Sequence, residues 1–202
     1  MFGLGIAKGL AVTFKHFVAT YVEDLKYFPR RYSQEAMAAR QRPEGQGLFT
    51  VEYPEQELAV PEAFRFVPFL VYDEGKGSAD EGLRCTACGI CSKVCPPQCI
   101  WIVRALDEKG KPLTHPAEFT IDIDVCMNCG FCAEFCPFDS IVMDHEWKLA
   151  DYERDKGHIY GMDKPLKPAS YYQKIRPTDY AEYMARKAAK EAARGAKGKV
   201  ES

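Results

Sequence analysis

Cys85-Thr-Ala-Cys88-Gly-Ile-Cys91-Ser-Lys-Val-Cys95-Pro96 and Cys126-Met-Asn-Cys129-Gly-Phe-Cys132-Ala-Glu-Phe-Cys136-Pro137 decide how this chain folds. The two runs hold eight of its nine cysteines. Each has three thiols within seven residues and a fourth just before a proline, the spacing that ligates a [4Fe–4S] cubane. The geometry explains the spacing. A cubane has four iron corners, and a tight turn bearing three thiolates can wrap one face of it. The same backbone has no room to reach the fourth corner, so that ligand comes from farther away.

The runs are also an internal repeat. Shifted by 41 residues, Cys85, Cys88, Gly89, Cys91, Cys95, Pro96 and Ile100 fall on Cys126, Cys129, Gly130, Cys132, Cys136, Pro137 and Ile141. Glycine lets the backbone approach a bulky group and take a positive φ, and proline ends the turn without leaving an N–H to satisfy. In ferredoxins with two such runs, the fourth cysteine of each serves the other cluster. The expected ligand sets are therefore Cys85, Cys88, Cys91 and Cys136 for one cluster, and Cys126, Cys129, Cys132 and Cys95 for the other.

Other uses of cysteine fit less well. Zinc sites take paired knuckles, and a disulfide framework needs an oxidising compartment. The first residues lack the charged start and unbroken apolar core of a secretory signal. Cys99 belongs to neither set, and its repeat mate is Ser140. It reads as a buried free thiol, so replacing it with serine is expected to leave iron content unchanged.

Working outward, Ile100 to Val103, Phe119 to Ile123 and Ile141 to Met143 read as strands around the ligand turns. Asp107-Glu-Lys-Gly110 is a turn inside the linker between runs. Ile90, Val94, Phe131 and Phe135 lie between ligands and are expected to shield the clusters. Strand, ligand turn, short helix and strand, twice over, make an α+β ferredoxin-like unit. Upstream, Ile6, Leu10, Phe14, Phe17, Val18, Tyr21 and Leu25 form one apolar stripe at helical spacing, with Lys8 and Lys15 on another side. Its uncharged runs fall far short of the ~20 residues that span a bilayer. The expectation is an amphipathic helix on a membrane surface or in a partner's groove.

Ser33 is a candidate cap for a brief helix ending near Arg42. Phe49 to Tyr53 reads as a strand or extended arm. Residues 61–72 suit a core or a subunit interface, and residues 73–82 a polar loop. Beyond the second run, residues 157–172 read as extended packing. Thr178 is a candidate cap for a basic helix through Ala193, carrying Arg186, Lys187, Lys190 and Arg194, followed by a disordered tail. The expected organisation is a docking helix over 1–28, an extended arm over 29–80, the 2[4Fe–4S] domain over 81–147 and an extension over 148–202. A net charge of −2 over 202 residues gives no general attraction to nucleic acid. No nucleotide loop or paired acid–base arrangement supplies substrate chemistry, and the histidines are scattered.

Taken with Tyr53-Pro54-Glu55, Gly9-Leu-Ala-Val-Thr-Phe-Lys-His-Phe17 and Trp147-Lys-Leu-Ala-Asp-Tyr152, the tandem runs resemble subunit I of NADH:quinone oxidoreductase, respiratory complex I. Two stretches depart from the family pattern. Residues 18–52 are longer than expected, and residues 64–82 are unusual. The resemblance implies an electron relay with two [4Fe–4S] clusters, ligated by the eight motif cysteines, in a membrane-bound, proton-pumping complex. It implies as partners the terminal-cluster subunit, the NADH-side iron–sulfur subunit, the quinone-site membrane subunit and the membrane surface, on the cytoplasmic face of a bacterial inner membrane. The alternatives are a relay in a related hydrogenase or ferredoxin-fed complex, or a diffusible ferredoxin.

Overall fold

The computed structural model describes residues 3–75 and 81–198, with side chains up to residue 192. By compactness the chain divides between Pro61 and Glu62. The first unit begins with helix α1, Leu4–Leu25, and continues with α2, Gln34–Arg40. Ser33 caps α2, its hydroxyl accepting from the Ala36 N–H at 3.3 Å. The helix stops two residues short of the expected Arg42. Residues 49–53 form no strand, and Tyr53 enters a turn in which the Gln56 N–H donates to Glu52 O at 2.7 Å.

Arg40 locks this unit together. Only 1% exposed, it donates to Asp24 at 2.6 Å, to the carbonyls of Ala36 at 3.1 Å and Leu48 at 2.5 Å, and to that of Arg31. Asp24 also pairs with Arg31 at 2.9 Å. A buried carboxylate can stay charged only where such partners replace water. The apolar stripe of α1 meets no such enclosure: Leu10 and Phe14 are each 66% exposed, and Ile6, Phe17, Val18, Tyr21 and Leu25 are exposed too.

The second unit is built on the two ligand runs. Its elements are β1 (Pro68–Tyr72), α3 (Ile90–Val94), β2 (Ile100–Leu106), β3 (Pro112–Asp122), α4 (Phe131–Glu134), β4 (Ile141–Met143), α5 (Arg154–Gly157), β5 (Ile159–Tyr160), β6 (Leu166–Pro168), α6 (Ala169–Ile175) and α7 (Pro177–Gly198). β1 precedes the first ligand run and pairs antiparallel with β4, which follows the second. β2 follows the first run and pairs antiparallel with β3, which precedes the second. The repeat thus closes as two interlocked halves, each joining strands from both copies. β6 adds to β1 in parallel and β5 adds to β3 antiparallel. The α+β ferredoxin-like class follows from this arrangement.

β1 explains the apolar run of residues 61–72. Leu70 is fully buried against Cys85, Ile100, Ile121 and Ile141. Phe69 and Val71 face the other way, against Val142, Ala169 and Tyr172. A strand covered on both faces has to be apolar throughout. The core therefore takes in β1, β6 and α6, which lie outside the expected 81–147 span. The polar loop after β1 is cinched at its base by a Tyr72–Leu83 bridge and by the Asp73 N–H donating to Gly82 O at 2.8 Å. Residues 76–80 of that loop lie outside the described residues. At the far hairpin, Gly110 takes φ 74° and Asp107 accepts from the Lys109 and Lys111 amides, as the turn signal suggests.

Residues 157–172 are not merely extended, since they supply β5, β6 and the start of α6. Thr178 is not a cap either. α7 starts at Pro177, where proline costs no hydrogen bond. The Glu62 carboxylate accepts from the Thr178 N–H at 2.6 Å and from its hydroxyl at 3.0 Å, capping the helix from 116 residues upstream. The helix runs to Gly198, past the expected end at Ala193. The side chain of Arg194 and the last four residues of the expected tail lie outside the described residues.

Candidate cluster site

Each ligand turn owes its shape to a pair of left-handed residues. Ala87 and Gly89 take φ 52° and 75°, and their repeat mates Asn128 and Gly130 take 52° and 81°. The match extends to Gln98 and Asp139, at 53° and 48°. Three coincident departures from ordinary backbone, each 41 residues apart, build the same cradle twice. A non-glycine residue in the left-handed region is uncommon and points to a constraint at that place. The carbonyls of both cradles are braced by arginine. Arg104 donates to Ala87 O at 2.8 Å, and Arg65 donates to Cys129 O at 2.5 Å while pairing with Glu134. Gly130 leaves room for the second brace: a Cβ there would stand 3.0 Å from the Arg65 guanidinium.

The structure brings six of the eight motif cysteines, all but Cys88 and Cys129, into or against one core. Cys85, Cys91, Cys95 and Cys132 are buried, and Cys88, Cys126, Cys129 and Cys136 are partly so. Their neighbours cross between the runs. Cys85 and Cys91 each lie near Cys136 and Cys88, whereas Cys126 lies near Cys95 and Cys129. A narrow recess is lined by Cys95, Cys126, Cys129 and Cys132, with Pro68, Ile100, Met127 and Met143 as apolar wall. Among the described residues, no three candidate ligands converge as they would on a single metal ion. A cubane needs something else: four thiols spread round a space large enough for four irons and their sulfides.

The donor chemistry fits that group. Burial pushes the Cys91 and Cys132 thiols up to about 12, and also raises Cys85 and Cys126. Neutral thiols tolerate a dry core, and thiolates there need a cation to replace water. Bound iron would take the place of the protons, so loading releases them. When bound, a [4Fe–4S] cluster supplies reversible one-electron transfer. The chain's part is to hold the thiols, exclude water and aim hydrogen bonds at sulfur.

Cys99 is 1% exposed and lines the recess, its Sγ 3.4 Å from that of Cys95. Burial, foremost, raises its pKa. Phe131 and Phe135 do not cover the clusters as expected. Both are exposed and pack edge to face on each other, 6.3 Å apart, because α4 turns its buried face inward through Cys132.

His158 was missed by sequence reading. Its Nδ1 meets Asp124 at 2.5 Å and its Nε2 meets Leu149 O at 2.8 Å. Two acceptors facing two ring nitrogens favour the imidazolium. The hydrogen bond to Asp124 holds the pKa above its ordinary value, against some desolvation. A group raised in the fold stabilises it fully below its unfolded value of about 6.5, and loses that effect as pH rises through the folded value. The thermal stability of wild type over His158→Asn should accordingly be largest in mild acid and vanish in alkali. A constant difference across pH would contradict this.

A family model described as a 4Fe-4S dicluster domain matches residues 84–140. NADH-quinone oxidoreductase subunit I 2 of Symbiobacterium thermophilum is 41% identical over 100 residues, covering 50% of this chain and 40% of its own length. Its namesake in Geobacter metallireducens is 30% identical over 106 residues, covering 52% of this chain and 75% of its own. That of Streptomyces coelicolor is 29% identical over 182 residues, covering 83% of this chain and 74% of its own. With the paired cradles and their eight thiols, these matches identify the chain as a member of the NADH-quinone oxidoreductase subunit I family, an electron-relay protein with two [4Fe–4S] clusters.

Proposed function

We propose that the chain is the relay subunit of a membrane-bound, proton-pumping NADH:quinone oxidoreductase, passing electrons from NADH-side clusters toward a terminal cluster and quinone. The observation that carries this reading is two thiol-lined cradles sharing one core. Electrons can enter through one and leave through the other without a substrate site between them. Ligation is crossed: Cys85, Cys88, Cys91 and Cys136 hold one cluster, and Cys126, Cys129, Cys132 and Cys95 the other. The recess joining Cys95 to the three thiols of the second run supports that assignment.

The partners are the subunits bearing the NADH-side and terminal clusters and the membrane subunit of the quinone site. The exposed stripe of α1 supports docking at the membrane, and the side proposed is the cytoplasmic one. Among the described residues no helix is long and apolar enough to cross a bilayer, so α1 lies along the surface. Deleting residues 1–25 should move the protein from the membrane fraction to the soluble one with its clusters intact. Loss of the clusters on deletion would show instead that α1 supports the fold.

A tagged pull-down from gently solubilised membranes, with an NADH:quinone assay, tests the whole reading. Flavin- and NADH-binding chains beside hydrophobic antiporter-like subunits support it. A nickel–iron hydrogenase subunit without an NADH module, or recovery of the chain alone, would overturn it.

A further inference from the structure

The two cradles match in backbone but differ in one chemical detail. Ser140 is 3% exposed, and its hydroxyl lies 3.1 Å from Cys136 Sγ and also meets Cys85. Cys99, its repeat mate, lies 3.4 Å from Cys95 Sγ and also meets Cys126. Cys95 and Cys126 are the repeat mates of Cys136 and Cys85, so the two side chains sit in equivalent places. Both are fixed by equivalent backbone bonds. The Ser140 carbonyl accepts from Val71 of β1, and the Cys99 carbonyl accepts from Asp122 of β3, each at 2.9 Å. The donors are unequal. Ser140 offers a hydroxyl and also its amide, which donates to Cys136 Sγ at 3.4 Å. Cys99 offers a thiol, a weak donor.

We propose that Ser140 and Cys99 are positioning residues that set the two clusters at different potentials, the one ligated by Cys136 being the higher. The physical basis is charge. One-electron reduction adds negative charge to the cluster and its sulfurs, and a hydrogen bond donated to a ligand sulfur stabilises the reduced form and raises the potential. The proton stays on its donor throughout. The stronger donor pair at Cys136 therefore makes that cluster the resting place of a single added electron. This rests on the crossed ligation proposed above.

The test is dithionite titration of the full-length, fully loaded protein, followed by electron paramagnetic resonance of each reduced cluster. Wild type should show two midpoints. Cys99→Ser should raise the lower one and leave the other unmoved. Ser140→Ala and Ser140→Cys should lower the higher one, and the exchanged pair C99S with S140C should narrow the gap between the two, the amide of residue 140 still serving Cys136. Should the serine disturb folding, Cys99→Ala should lower the lower midpoint slightly. Unmoved midpoints at full iron content would overturn the hydrogen-bond role while leaving ligation untouched. Loss of a cluster in both Cys99 variants, but not in Ser140→Ala, would make Cys99 a ligand and overturn the proposal.

Discussion

Replacing Cys136 with alanine is expected to halve the bound iron and to leave the same residual spectrum as replacing Cys88. Under crossed ligation both changes remove the same cluster, although Cys136 stands four residues from Cys132 and 48 from Cys88 in the chain. Cys95→Ala and Cys129→Ala should form the second matching pair. The neighbours of Cys136 in the core are Cys85 and Cys91, so it is their site that would lose a corner. Electron transfer to quinone should fall to background in all four variants, because each breaks the proposed relay. The measurement is iron content with paramagnetic resonance of the reduced protein. If Cys136→Ala instead matched Cys129→Ala, each run would ligate its own cluster, and the crossed assignment would be wrong.

The second large effect belongs to the N-terminal unit. Arg40→Met should destabilise that unit by about 3–5 kcal/mol, the usual cost of leaving half of a buried ion pair behind. Asp24 would retain Arg31 alone, and the carbonyls of Leu48 and Arg31 would lose their donor. Replacing Asp24 with leucine as well should recover part of the loss, since the buried carboxylate is then gone and the charge left behind is that of the part-exposed Arg31. It should not recover all of it, because those carbonyls stay unsatisfied. Hydrogen exchange over residues 3–61 would report both effects, and the visible absorbance of the clusters should be unchanged. A single variant with wild-type protection would mean that Arg40 is not what closes this unit.

Legibility in the sequence followed the range of the interactions. The ligand turns could be read because three thiols and a glycine act within seven residues, and the 41-residue repeat showed that the cradle is built twice. Ser33 could be read because a cap bonds an amide three residues on. β1 could not be assigned. A strand covered on both faces loses the alternation that marks one, and its neighbours β4 and β6 are 71 to 96 residues away along paired positions such as Leu70–Ile141 and Leu70–Leu166. The cap of α7 was hidden for the same reason: Thr178 has the right chemistry at the right place, yet Glu62 does the bonding. Asp24 and Arg40 gave only a faint signal, a carboxylate at the rim of an apolar stripe. His158 gave none, since its partner Asp124 is 34 residues upstream.

The cinched base of the loop after β1 has a practical use. Because the Asp73–Gly82 hydrogen bond and the Tyr72–Leu83 bridge close the excursion before it reaches the ligand run, its length is uncoupled from the geometry of Cys85. Doubling such a loop costs only about 0.6 kcal/mol in closure entropy. An affinity epitope spliced in after Gly75 would therefore give a purification handle that leaves both chain termini native.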